Sequence, residues 1–338
     1  MPDQNIASII KILLTLSLAI ILACICYLVF ISVFVNPWLE NNQRELSVLN
    51  FYSQKNTSTV PDVYFIGTSQ MKEGLDCYAV EDDLKKSDIS FNCYNLAVNA
   101  DSPLRRLIEL HAIISSKPEI VVIGTDIRNM YSDGEIDNSR LMLLAGRVVF
   151  DNTTTYLFDA QQRELLNSDP FTRDTSNRIY IVSYLNYMTL NKLTPNSFAD
   201  YAYRNNFKNP FQNVKNFSIE EKTEKINQYD PVNDTLFSQY YEDSINKRAL
   251  QYMVQELHKS NITVVIINMP TDPLSTKRIS NTTKENFRSY VTTLEVPYYD
   301  FLDQYPSDYF SDTSHMNAQG RISFSQDMAQ VIVRGVGK

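Results

Sequence analysis

Asp312 and His315 stand three residues apart in Phe310-Ser311-Asp312-Thr313-Ser314-His315-Met316-Asn317, near the end of the chain. The sequence holds three histidines. His111 and His258 fall beside charged residues in helical patterns and read as solvated or structural. His315 has an acidic neighbour before it and a helix start after it. Such a pair serves nucleophilic chemistry when a hydroxyl is brought to it. The imidazole takes the proton as the hydroxyl attacks, and the carboxylate orients the imidazole and stabilises its cation. Ser69, in Gly67-Thr68-Ser69-Gln70, is the candidate hydroxyl. Each residue also has a plainer reading. Ser69 could cap a helix, Asp312 a turn and Asn317 the last helix.

The elements around these residues decide whether they can meet. Asp62-Val63-Tyr64-Phe65-Ile66 is a compact apolar run between Pro61 and Gly67, which predicts a buried parallel strand. A helical pattern through Leu75, Ala79 and Leu84 follows, then a strand over Ser90–Val98. Asp101-Ser102-Pro103 predicts a helix start, and that helix runs to about Ser116. Lys117-Pro118 ends it, ahead of a third strand over Glu119–Gly124. The alternation lapses from about 130 to 240, a large insertion rich in Asn, Tyr, Asp and Ser, with amphipathic pieces such as Ile179–Leu193. It resumes with a helix over Glu242–Lys259, a strand over Ile262–Asn268, a helix over Thr282–Leu294 and a strand over Val296–Phe301. A helix over Asn317–Arg334 closes the chain. Crossovers of these lengths require parallel pairing. The expected fold is α/β, a three-layer, doubly wound parallel sheet of flavodoxin-like kind. Ser69 follows its first strand, and Asp312 and His315 follow its last. In such sheets ligands gather at the carboxyl ends of the strands.

The chain has 338 residues and a formal net charge of -8, with no basic run. That argues against nucleic acid as a partner, since phosphate binding needs clustered Lys and Arg. Eight glycines leave little room for phosphate-cradling loops, and neither a Walker loop nor a dinucleotide fingerprint occurs. No histidine–cysteine cluster has metal-ligand spacing. No metal or cofactor is expected.

Ile12–Val35 is apolar except for Thr15, Ser17 and Ser32, and its 24 residues exceed the roughly 20 that cross a bilayer. A cleaved signal would stop sooner. The expected organisation is a short cytoplasmic N-terminus (1–11), a transmembrane anchor (12–35), a linker (36–60) that includes a short helix, and one domain (61–338) carrying the insertion. Lys11 ahead of the span favours the N-terminus inside and the domain extracytoplasmic. Trp38 sits where interfacial aromatics belong, and Pro37 ends the helix. Cys24 and Cys26 fill the span. Cys77 and Cys93 lie in the domain, where a disulfide and two buried thiols are both open readings. Six Asn-x-Ser/Thr acceptors would suit export, although a chain this rich in Asn, Ser and Thr supplies several by composition. Arg105-Arg106 reads as a solvated helix face, with an acidic polymer the alternative. The tyrosines of the insertion read as packing, with a glycan groove the alternative.

Four segments carry a family resemblance. Phe65-Ile66-Gly67-Thr68-Ser69, Asn95-Leu96-Ala97-Val98-Asn99-Ala100-Asp101-Ser102-Pro103, Ile123-Gly124-Thr125-Asp126 and Asp312-Thr313-Ser314-His315-Met316-Asn317 with Gly320 together resemble the four blocks of the SGNH/GDSL hydrolase superfamily. The similarity is greatest to its membrane-anchored cell-envelope members, such as the D-alanyl-lipoteichoic acid assembly and alginate acetylation proteins. It covers roughly residues 61–126 and 241–335. The resemblance implies Ser69 as nucleophile with Asp312 and His315 completing a triad. It implies an oxyanion hole from the Ser69 N–H with the second and third blocks. Two positions depart from the pattern. Asn99 stands where the second block usually offers a glycine N–H, and Asp126 where the third usually offers an asparagine. Asn129 and Arg128 are further donor candidates.

The expected function is therefore a membrane-anchored, extracytoplasmic serine esterase or O-acyltransferase. Its substrate is an acyl ester of a cell-surface glycan or polymer, and a membrane-bound acyltransferase is a candidate partner. The alternatives are a catalytically inactive surface scaffold or glycan-binding protein, and an assembly partner of a membrane acyltransferase.

Overall fold

The computed structural model describes mainly residues 2–35, 43–54, 59–130, 152–167, 206–211, 215–229 and 244–336, with isolated residues between them. The apolar N-terminal run forms a helix over Pro2–Phe30 that continues as a π-helical turn over Ile31–Val35. Its Ser8–Val35 stretch of 28 residues is long and apolar enough to cross a membrane.

Five parallel strands make the sheet: β1 (Asp62–Ile66), β2 (Asn92–Asn95), β3 (Ile120–Thr125), β4 (Thr263–Asn268) and β5 (Tyr298–Asp300). Their spatial order is β2-β1-β3-β4-β5, the doubly wound flavodoxin-like arrangement. Tyr64 pairs with Tyr94 on one side and Val121 on the other, and Thr125 pairs with Asn268. Alternate strand residues enter two separate cores, as a sheet covered on both faces requires. Tyr64, Ile66, Val121, Ile123, Val264 and Ile266 face one. Val63, Phe65, Val122, Val265 and Ile267 face the other, against Phe324 and Met328 of the C-terminal helix Ala318–Val336.

The predicted helices form with some divisions. The one after β1 is two, Ser69–Gly74 and Cys77–Lys86, because Asp76 caps the second through the Tyr78 N–H at 3.0 Å. The one opened by Ser102 and Pro103 runs as Pro103–Leu107 and Leu110–Ser116. β2 is shorter than expected, yet the chain beyond it still pairs: the Leu96 and Val98 N–H groups donate to the carbonyls of Phe65 and Gly67. Helices Ile245–Lys259 and Asn281–Thr292 lie close to their expected spans. Cys77 and Cys93 are joined by a disulfide that ties the Cys77–Lys86 helix to β2.

The short helix expected between the apolar helix and the domain is Arg44–Ser53, and its Leu46, Val48, Leu49 and Tyr52 are buried in the domain's own core. Its polar flanks hid four inward-facing apolar residues. Arg105 and Arg106 are not a solvated face, since each is 2 % exposed. They interlock with Asp101 and Glu109 in a four-member buried ion network. Two charges of each sign cancel there, which is what lets them leave water. The amphipathic piece Ile179–Leu193 lies outside the described residues apart from Leu185 and Thr189.

Candidate active site

Ser69 is the first residue of its helix, placed there by a turn that only glycine can lead. Gly67 leaves β1 at φ 153°, and a Cβ on it would lie 2.8 Å from the Gly124 carbonyl oxygen of β3. The cap of this helix is Thr68, whose Oγ1 accepts from the Gln70 N–H. Ser69 Oγ is thereby released from capping. The helix's own hydrogen bonds begin with Lys72 N–H to the Thr68 carbonyl. The Ser69 N–H precedes them, in the first turn where helical N–H groups have no intrahelical acceptor.

Asp312 and His315 sit in a loop closed at its base. Phe310 and Met316 form an isolated antiparallel bridge, and the Ser311 N–H donates to the His315 carbonyl at 2.8 Å. Below it the Asn317 N–H donates to the Tyr309 carbonyl at 2.9 Å. Gly320 is needed at this crossing, since a Cβ there would meet the Tyr309 carbonyl oxygen at 2.2 Å. Asn317 caps the last helix as expected, its Oδ1 accepting from the Gln319 and Gly320 N–H groups.

The three side chains line up. His315 Nδ1 lies 2.8 Å from Asp312 Oδ2, and His315 Nε2 lies 2.8 Å from Ser69 Oγ. Asp312 Oδ1 meanwhile accepts from the N–H groups of Ser314 at 2.8 Å and His315 at 2.7 Å. The turn-capping reading of Asp312 and the histidine-orienting one both hold, one per carboxylate oxygen. Burial works to raise the Asp312 pKa. The His315 hydrogen bond and charge and the two backbone N–H groups outweigh it and hold the carboxyl down to about 2. With Asp312 ionised, the neutral imidazole carries its proton on Nδ1 and offers the Nε2 lone pair to the serine hydroxyl. Both side chains keep about a quarter of their surface in solvent, 27 % for His315 and 28 % for Asp312. This geometry can pass a proton from Ser69 Oγ to His315.

The other candidates surround Ser69 unevenly. Asn99 is exposed, and its Oδ1 accepts from Lys72 Nζ at 3.1 Å. Lys72 lies three residues beyond Ser69, on the same helix face. Asp126 directly follows β3 and is 3 % exposed. Asn129 belongs to the 3-10 turn Ile127–Met130, but its side chain and that of Arg128 lie outside the described ones. Among the described residues no group of three or more His, Cys, Asp or Glu is placed to hold a metal.

Four supporting residues escaped the sequence. Gln70 Nε2 donates to the Pro270 carbonyl, Thr271 Oγ1 and the Ser314 carbonyl at 3.2, 3.0 and 3.4 Å, joining the serine turn to the histidine loop. Ser275 Oγ donates to the Thr313 carbonyl. Lys222, from the insertion's helix Ile219–Tyr229, reaches Asp272 Oδ2 at 3.0 Å and the carbonyls of Ser307 and Phe310. Arg44 donates to the carbonyls of Asn95 and Ala97. Gln70 was signalled only by its place after the serine, and Lys222 and Arg44 by nothing local.

In strand order and parallel pairing the chain is a doubly wound α/β sheet, with Ser69 directly after β1 and Asp312 and His315 after β5. Comparison with known proteins gave the following. A family model matches residues 196–336, which include β4, β5, Asp312 and His315. No curated protein sequence matches the chain. Among solved structures the chain is similar to a proposed acylhydrolase from Bacteroides fragilis, at 11 % identity and a TM-score of 0.38, covering 87 % of this chain and 97 % of that one. It is similar to a GDSL-like lipase from Bacteroides thetaiotaomicron at 9 % identity and a TM-score of 0.37, covering 85 % and 98 %. It is also similar to a variant of the esterase AlinE4 at 10 % and 0.34, covering 82 % and 98 %.

Proposed function

We propose that this protein is a membrane-anchored, extracytoplasmic serine esterase or O-acyltransferase that acts on acyl esters of a cell-surface glycan or polymer. The observation that carries the reading is the continuous hydrogen-bonded chain from Asp312 through His315 to Ser69 Oγ. Ser69 Oγ attacks the ester carbonyl carbon while His315 Nε2 takes its proton. The tetrahedral intermediate collapses as His315 returns that proton to the leaving alcohol, and the acyl group stays on Ser69. Water or a sugar hydroxyl then attacks the acyl-enzyme, with His315 again accepting and returning a proton. Hydrolysis and transfer share this intermediate.

The Ser69 N–H and the Asn99 amide are the proposed oxyanion donors. Lys72 Nζ donates to the Asn99 side-chain oxygen at 3.1 Å, which holds that side chain beside the helix that Ser69 opens. Asp126 is acceptor-only when ionised and has no donor role in this scheme. The apolar Ser8–Val35 helix supports the anchor, and the Cys77–Cys93 disulfide supports an oxidising compartment.

A serine-directed fluorophosphonate tests the reading. Labelling of the intact protein is expected, with loss of all labelling in Ser69→Ala. Labelling that persists in Ser69→Ala ends the nucleophile assignment. The buried carboxylate of Asp126 at the end of β3 motivates the inactive-scaffold reading, which an unlabelled but folded wild-type protein would favour.

A further inference from the structure

The helix that follows the apolar N-terminal segment begins at the same end of the sheet as the candidate active site. Arg44 opens the Arg44–Ser53 helix, and its Nε and Nη2 donate to the carbonyls of Ala97 and Asn95 at 2.6 and 2.5 Å. Those carbonyls lie where the chain leaves β2 on its way to Asn99. Seven residues on, the Phe51 ring packs on Tyr64 and Tyr94 with centroids 5.5 and 4.7 Å away. Tyr64 and Tyr94 face each other in the middle of β1 and β2. The helix therefore runs antiparallel to the strands, starting at their carboxyl edge. Arg44 thus stands at the edge that carries Ser69, Asp312 and His315.

The opposite edge is marked independently. Asp88, Lys117, Asn261 and Glu295 have positive φ at the helix-to-strand turns ahead of β2, β3, β4 and β5. At the end of the apolar helix, Ile31 and Val35 are 4 % and 2 % exposed and belong to the apolar cluster on the sheet face that also buries Leu46, Val48, Leu49 and Tyr52. From Val35 to Arg44 is nine residues, a reach of about 30 Å when fully extended.

Resting on the anchored reading above, we propose that the protein works facing the bilayer it is anchored in. The carboxyl edge of the sheet is apposed to the membrane surface. The ester that Ser69 takes is one held at that surface, a lipid-linked acyl group or the acyl group of a membrane-bound donor. Esters displayed far from the bilayer lie beyond the reach of an edge tethered this closely.

Energy transfer to the membrane tests the orientation. The full chain, with Cys24 and Cys26 replaced by alanine, is reconstituted in phosphatidylcholine vesicles containing acceptor-labelled lipid. A single donor-labelled cysteine is introduced by Lys277→Cys or Asp308→Cys at the carboxyl edge, or by Lys86→Cys or Lys259→Cys at the other. All four residues are exposed, so each edge has two independent reporters on the folded protein. Transfer several-fold more efficient from positions 277 and 308 is expected. Equal transfer from both edges, or more from positions 86 and 259, overturns the orientation. Fluorophosphonate labelling in the same vesicles reports separately on Ser69, so that result leaves the nucleophile assignment standing. A chain that does not float with the vesicles overturns the anchor and the orientation together.

Discussion

At the scale of single residues, Asp312 shows how one carboxylate is divided between structure and chemistry. Its Oδ1 organises the turn through two backbone N–H groups, and its Oδ2 holds the imidazole. Asp312→Asn can keep the first task but reverses the second. An amide N–H facing Nδ1 selects the tautomer whose Nε2 already bears a proton and cannot accept one from Ser69. Turnover of a small ester is expected to fall by a factor on the order of 10⁴ with the fold intact, the size seen when a triad aspartate is so changed. Stability carries a second signature. The folded carboxyl sits at about 2, below its ordinary 3.8. A depressed pKa adds stability that is fully present above the ordinary value and lost as pH falls through the folded one. Urea midpoints of wild type and Asp312→Asn, measured across acidic pH, should differ near neutrality and converge toward pH 2. The spacing of Asp312 and His315 was legible because three residues on a tight turn fix a pair locally. Gln70 was not, because its partners lie some two hundred residues further along the chain.

At the scale of elements, two buried ion clusters hold the loops that flank Ser69. Asp101 follows Asn99 and is bound by both Arg105 and Arg106, with Glu109 completing the network. Arg106→Met leaves two buried carboxylates with one guanidinium. Denaturant unfolding should report a loss of about 3–5 kcal/mol, the cost of breaking a buried pair from one side. Replacing Asp101 in the same chain by an apolar residue should return part of it. The second cluster joins the insertion to the histidine loop through Lys222, 2 % exposed at its side chain, and Asp272, fully buried. Lys222→Met strands Asp272 and the Ser307 and Phe310 carbonyls. Fluorophosphonate labelling of Ser69 should slow by an order of magnitude or more as the loop loosens, while far-UV circular dichroism at low temperature changes little. The strands were legible from their apolar runs. The two clusters were not, since a charged residue reads as solvated until something of opposite sign is found beside it, and for Lys222 that partner is remote.

At the scale of the whole molecule, the Arg44–Ser53 helix makes the segment after the apolar helix part of the domain. Leu46, Val48 and Leu49 are 1 %, 0 % and 7 % exposed. At 1.5–3 kcal/mol each their burial is worth about 5–9 kcal/mol, an upper estimate. That rivals the whole stability of an ordinary domain. A truncated chain beginning at residue 42 should stay monomeric, cooperative in thermal unfolding and reactive with fluorophosphonate. One beginning at residue 57 should be insoluble or lack a cooperative transition.

The sequence by itself determined the parallel α/β plan, the apolar span and the three residues at strand ends, because each is written in local periodicity or short spacing. Only the tertiary structure decided that Ser69 Oγ comes within 2.8 Å of His315 Nε2, that Arg105 and Arg106 are interior, and that Arg44 sits at the edge bearing the candidate site. Those outcomes depend on contacts between segments far apart in the chain. Their energies come from burial and charge cancellation, which no single segment carries.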